Sequence, residues 1–201
     1  MWISKALTAL FPAMCLGCGR AGAPLCDGCA ERTSRPHTID ISGLRVHSAG
    51  RYAGTLRRAI LAYKRGRRDV GDVLAKLVVA GCTDFVPAGA IVVPVPTVAS
   101  RRRRRGFDQS ARLARACGEA FDLAVLLALQ PIARDTQRGR DRATRLRARG
   151  RFRCVAPGLV AGMHVVLVDD VVTTGATLRD CAATLVACGA RVDHAIVIAY
   201  A

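Results

Sequence analysis

Two adjacent carboxylates close an apolar run in "HVVLVDDVVTTGATLRD", residues 164–180, and a threonine- and glycine-rich turn follows them at once. Asp169 and Asp170 would repel each other unless something positive or rich in hydroxyls sat between them. The turn after Val171 and Val172, namely Thr173, Thr174, Gly175, Ala176 and Thr177, offers backbone N–H groups, hydroxyls and a helix amino terminus directed at one anion. Gly175 would let the backbone approach that anion closely. Carboxylates that accept from vicinal hydroxyls beside a phosphate cradle describe a ribose 5-phosphate. An acidic pair after an apolar strand also suits the metal-binding strand of a P-loop NTPase, but that fold needs a Gly-Lys pair. Here the lysines follow Ser4, Tyr63 and Ala75. An ordinary strand, turn and helix accounts for neither carboxylate.

A second chemistry is written in "CLGCGRAGAPLCDGC". Cys15, Cys18, Cys26 and Cys29 form two C-x2-C pairs, whose short gaps let both sulfurs of each pair turn onto one ion. Tetrahedral structural zinc is the favoured reading, over an iron–sulfur cluster or a redox dithiol. Four filled positions leave no open site, so the metal would hold a knuckle together and do no chemistry. Cys82, Cys117, Cys154, Cys181 and Cys188 lack such spacing and are expected to be core thiols.

The chain that must position these groups has 201 residues, enough for one sizeable α/β core and a small appendage. Its formal net charge of +16 points to anionic partners: phosphate esters, nucleic acid or a membrane surface. Arginine supplies nearly all of that charge, and its planar fork suits phosphate. An arginine-rich composition can also mirror a GC-rich genome. The opening "MWISKALTALFPAMC" superficially suggests a secretory signal, but Pro12 interrupts the run and Met14 is too large for a cleavage site. No window reaches the roughly 20 apolar residues of a membrane span, so no membrane insertion and a cytoplasmic location are expected.

Patterning predicts a polar strip to about Ile41 and a strand pair near "LRVHSAGRY". It then predicts helices from about Thr55 and from Asp72 to Cys82, a buried strand in "AIVVPVP" and a helix in "GFDQSARLARACGEAF". A basic loop over "ARDTQRGRDRATRLRARGRF" precedes a strand "HVVLV", a helix closed by Gly189 and a last strand "ARVDHAIVIAY". Strands alternating with helices argue a parallel α/β sheet, whose ligands sit beyond the carboxyl ends of the strands, where Asp169 and Asp170 fall. His164 is expected to be structural, and the sequence names no partners for His37, His47 and His194.

"VVLVDDVVTTGATL" resembles the phosphoribosyl pyrophosphate (PRPP) signature of type I phosphoribosyltransferases. The knuckle, "YAGTLRRAILAYKRG", "VVPVPTVASRRRRRGFDQS" and "ARDTQ" make nearly the whole chain similar to the ComF family. The resemblance implies a type I phosphoribosyltransferase fold over 45–201 behind a zinc knuckle at 10–35. It implies PRPP bound with Mg2+, the metal held largely by substrate oxygens. Asp169 and Asp170 would hold the ribose hydroxyls and stabilise the positive ring during transfer to an unknown acceptor, and residues 171–177 would hold the 5-phosphate. Arg103, Arg105 and Lys64 would take the departing pyrophosphate, and Arg134 and Thr136 would belong to a mobile loop that closes over it. The acceptor would be recognised by a hood built from the knuckle and the residues up to Tyr52. ComF proteins are associated with natural transformation, which implies the alternative of a single-stranded DNA-binding accessory protein acting with DNA-uptake proteins. Two departures stand out. Asp108 replaces the Asn of the usual Arg-Gly-Phe-Asn-Gln, and the segment between Thr136 and Phe152 is short and nearly all arginine and small residues.

Overall fold

Valine-rich segments without polar alternation must be covered on both faces, and this requirement sets the architecture. A computed structural model of the chain describes residues 12–82, 85–97, 107–132 and 150–201. In chain order its elements are α1 (Asp27–Thr33), β1 (His37–Ile41), β2 (Leu44–Arg51), α2 (Gly54–Lys64), α3 (Arg68–Cys82) and β3 (Ile91–Pro94). They continue with α4 (Gln109–Phe121), β4 (Leu129–Pro131), β5 (Phe152–Cys154), α5 (Pro157–Val160), β6 (His164–Val172), α6 (Ala176–Val186) and β7 (Arg191–Tyr200). The main sheet has the order β1-β2-β7-β6-β3. Strands β2, β7, β6 and β3 run parallel, whereas β1 is an antiparallel edge strand, so the sheet is mixed and not wholly parallel as the alternation of elements suggested. β4 and β5 form a separate antiparallel ribbon.

The two faces carry two cores. On one, Leu56, Ile60, Leu74, Val78 and Leu113 from α2, α3 and α4 pack on Val166, Val168, Ile196 and Ile198. On the other, Leu178, Cys181 and Leu185 from α6 pack with Val46, Val93, Val165, Leu167 and Val197. Each fully buried leucine or isoleucine here contributes about 1.5–3 kcal/mol. The knuckle joins the first core through Cys15, Leu25 and Cys29, and Arg58 of α2 donates to the Leu16 carbonyl at 2.9 Å.

Several local expectations change. The strand pair does not lie within 44–52. Its first member is β1, inside the segment read as polar, because β1 is an exposed edge strand that keeps only a half-buried face. The hairpin turns through Ser42 (φ +58°) and Gly43 (φ +86°), with the Gly43 N–H donating to Asp40 Oδ1 at 3.0 Å. Two positive φ values form the tight turn that matches strand twist. α3 starts at Arg68, four residues before the expected Asp72. Among the five cysteines expected in the core, Cys82, Cys117 and Cys181 are buried, whereas Cys154 and Cys188 are half-buried. Among the described residues, no helix is long and apolar enough to cross a membrane.

Candidate functional site

β6 does not stop before its carboxylates. It runs through Asp169 and Asp170 to Val172, with Asp169 opposite Val197 and Val172 opposite Tyr200 of β7. The acidic pair is therefore held by sheet hydrogen bonding and not by a flexible loop. Asp169 Oδ1 accepts from the Ser110 hydroxyl at 3.0 Å and from the Asp170 N–H at 2.8 Å. Asp170 Oδ2 lies 2.9 Å from the Lys64 ammonium, with the two side chains 16% and 23% exposed. Burial first, then the Asp170 carboxylate, push the Asp169 carboxyl up to about 7. One oxygen of each carboxylate is thus committed. Among the described residues nothing bonds the other two, Asp169 Oδ2 and Asp170 Oδ1.

The turn after β6 has the geometry an anion cradle requires. Gly175 is the N-cap of α6 with φ +70° and, having no side chain, makes no cap hydrogen bond itself. A Cβ at Gly175 would come within 2.6 Å of Ile41 Cδ1 and 2.7 Å of Ile41 Cγ2, so glycine is needed both for the backbone angle and for space. Ile41, the last residue of β1, thereby braces the turn from the hairpin. Thr173 and Thr174 are exposed, and the Ala176 N–H approaches Thr174 Oγ1 at 3.4 Å.

The "GFDQS" segment reaches the same corner. Asp108 caps α4 by accepting from the Ala111 N–H at 3.1 Å, and its oxygens take the Thr97 hydroxyl at 3.3 Å and the Thr97 N–H at 3.4 Å. Asn could provide one acceptor oxygen for the cap, and Asp adds a charge suited to a helix amino terminus. Phe107 packs on Tyr63 with centroids 5.2 Å apart and beneath the Arg68 guanidinium at 5.4 Å. A cavity of about 540 Å³ opens beside this corner, lined in part by Pro94, Pro96, Phe107, Arg112 and Arg115. Asp108 lines it as well, whereas Asp169 and Asp170 do not.

Asp169, Asp170 and residues 171–177 are contiguous at this corner, and the structure brings Lys64 to Asp170. Arg103, Arg105, Arg134 and Thr136 lie outside the described residues. Two contributors were missed from sequence, Ser110 and the bracing Ile41. A signal for Lys64 at the pair did exist: it continues the stripe Leu56, Ile60 at four-residue spacing, a cation at the end of an apolar helix face.

At the knuckle, the Sγ atoms of Cys15, Cys18, Cys26 and Cys29 all lie within 4.8 Å of one another. Cys15 to Cys26 and Cys18 to Cys26 are each 3.7 Å. A tetrahedral ion at about 2.3 Å from each sulfur sets them about 3.8 Å apart, so the donor set fits zinc. A disulfide would need about 2.05 Å. The Gly17 and Cys26 N–H groups each approach Cys15 Sγ at 3.4 Å, and Arg32 donates to Cys29 Sγ at 3.1 Å, outer contacts suited to thiolate charge. A Cβ at Gly17 would lie 2.6 Å from Cys29 Sγ, which is why the knuckle needs glycine there.

Parts of this chain are similar to known proteins. The phosphoribosyl transferase domain family matches residues 80–201, the stretch that holds the acidic pair and the turn. The DNA utilization protein YhgH of Salmonella typhi is 34% identical over 159 residues, covering 73% of this chain and 67% of that protein. A protein of the same name from Salmonella typhimurium is 40% identical over 106 residues, covering 49% of this chain and 44% of that protein. A solved structure described as the allosteric regulatory enzyme of purine biosynthesis aligns with TM-score 0.51 and 23% identity over 69% of this chain. That likeness concerns the fold alone, and this chain spans 30% of that one.

Proposed function

The chain belongs to the phosphoribosyl transferase domain family, and from that premise we propose that it binds PRPP with Mg2+ and transfers the phosphoribosyl group to an acceptor, releasing pyrophosphate. The observation that carries this reading is the pair of oxygens, Asp169 Oδ2 and Asp170 Oδ1, that no described residue engages, on the strand that leads directly into the Gly175 turn. Two acceptors side by side suit the 2- and 3-hydroxyls of a ribose. The α6 amino terminus and residues 171–177 suit its 5-phosphate. As the bond from C1 to pyrophosphate breaks and the bond to the acceptor forms, positive charge grows on the ribose ring, and the ionised pair would stabilise it. Arg103 and Arg105 would receive the pyrophosphate, Lys64, expected to join them, would do so from its place beside Asp170, and the segment with Arg134 and Thr136 would close over it. Carboxylate oxygens are hard donors of the kind Mg2+ takes, but Lys64 already neutralises one. Mg2+ would therefore be held mainly by the substrate's own oxygens, where it offsets the charge of the leaving group.

A second reading is favoured by the relatives' names and by the net charge of +16: single-stranded DNA binding through arginine–phosphate contacts. One titration series separates the two. Mg-PRPP should bind the parent protein, and Asp169→Asn with Asp170→Asn should weaken it by about a hundredfold, on the scale of two lost charge-assisted hydrogen bonds. Labelled single-stranded DNA, if bound, should weaken by about 0.7 log units per log unit of salt for each phosphate contacted, and millimolar Mg-PRPP should displace it. Equal PRPP affinity in parent and variant would defeat the first reading, and simultaneous binding of both ligands would favour a separate DNA surface. Pyrophosphate release in an acceptor screen would establish turnover.

A further inference from the structure

At the acidic pair a lysine occupies one of the four carboxylate oxygens, which changes what the pair can bind. Two neighbouring carboxylates at a strand end are a hard-oxygen site, the donor type that Mg2+ and Mn2+ take. Lys64 changes that. Its ammonium sits 2.9 Å from Asp170 Oδ2, while the two contacts to Asp169 both fall on Oδ1. The remaining oxygens, one per carboxylate, suit two hydroxyl donors better than one dication that must share the pair with a fixed cation.

Lys64 is held in place by construction. It is the last residue of α2, which buries Leu56, Ala59, Ile60 and Tyr63 in the same core as Val166 and Val168 of β6. The Tyr63 hydroxyl reaches the Gln109 carbonyl at 3.4 Å, tying the end of α2 to the start of α4, where Ser110 holds Asp169. A positive side chain at a helix carboxyl end also interacts favourably with the helix dipole. A compact ammonium neutralises one oxygen without covering its neighbour, as a broad guanidinium would.

We infer that Lys64 is the specificity-determining residue of the acidic pair: by occupying Asp170 Oδ2 it bars a bare divalent cation and leaves one oxygen on each carboxylate for vicinal hydroxyls. This deepens the phosphoribosyl reading and rests on it for the identity of the hydroxyl ligand. The test uses Mn2+ alone, followed by paramagnetic resonance, and ribose 5-phosphate alone, followed by calorimetry, on the full chain. Lys64→Met should gain at least about tenfold in Mn2+ affinity, since a nearby cation is removed from an anionic site. It should lose about tenfold in ribose 5-phosphate affinity, because without the neighbouring cation the pair takes up a proton and loses an acceptor oxygen. Adding Asp170→Asn to Lys64→Met should abolish the Mn2+ gain, and Lys64→Arg, which keeps the charge, should keep Mn2+ out. If Lys64→Met loses its native circular dichroism, Lys64→Gln, with a shorter neutral polar side chain, takes its place. Unchanged Mn2+ affinity in a folded neutral variant overturns the inference. Failure of the parent protein to bind ribose 5-phosphate would instead overturn the phosphoribosyl reading, and the Mn2+ comparison would still decide the role of Lys64.

Discussion

Asp169 differs from its neighbour in what surrounds it, and that difference has a sign in pH. With its carboxyl pushed up to about 7 by burial and by Asp170, it holds a proton in the folded chain between about pH 4 and 7 that an unfolded chain would release. Its contribution to stability is therefore complete below about pH 4 and is lost as pH rises through about 7. The melting temperature of the parent should fall relative to that of Asp169→Asn between pH 5 and pH 8. PRPP affinity should move in the opposite direction and rise over the same window, because hydroxyls donate to the ionised carboxylate. A flat difference in melting with pH would show that Asp169 does not titrate there. The residue types and their adjacency were legible in the sequence, but the asymmetry was not, because Ser110 and Lys64 reach the pair from 59 and 106 positions away. The same limit applied to the histidines. His47 Nε2 meets His194 Nδ1 at 2.9 Å, His47 Nδ1 meets the Thr38 hydroxyl at 2.9 Å, and Arg45 donates to His194 Nε2 at 3.0 Å. Burial, with His194 and Arg45 adding to it, lowers His47 to about 4 and so keeps it neutral.

Helix α4 shows how an element can absorb a departure from a family pattern. Asp108 in place of Asn caps α4 and grips Thr97, so the substitution preserves the corner that carries Ser110. Asp108→Asn should leave urea stability within a few tenths of a kcal/mol, whereas Asp108→Ala should cost about 1 kcal/mol. Equal losses for the two would mean that the charge, and not the cap, is what matters. Long periodic helices and the valine-rich strands were readable because their patterns span many residues. β1 was not, because an exposed edge strand has little apolar signal, and its place depends on pairing with β2. The extension of β6 through its carboxylates was hidden for a related reason: polar residues at the end of a strand look like a loop until the partner strand is known.

At the scale of the molecule, the knuckle is not a tethered appendage. Cys15, Leu25 and Cys29 share a core with α2, α3 and the sheet, so metal binding and the stability of the main body are linked. The purified protein should carry about one zinc per chain. Stripping it should remove about 2 kcal/mol or more and lower the melting temperature by about 4–8 °C. Metal-free protein with unchanged melting would disprove a structural zinc.

The strand order has a further consequence during synthesis. β7 lies between β2 and β6, yet it follows both in the chain, and 147 positions separate His47 from its partner His194. Until β7 leaves the ribosome, the parallel edges of β2 and β6 have no mate, and the valine-rich faces they will share stay open to other nascent chains. Sheet closure is therefore a late event with high contact order, and the polypeptide is most dependent on chaperones just before β7 appears.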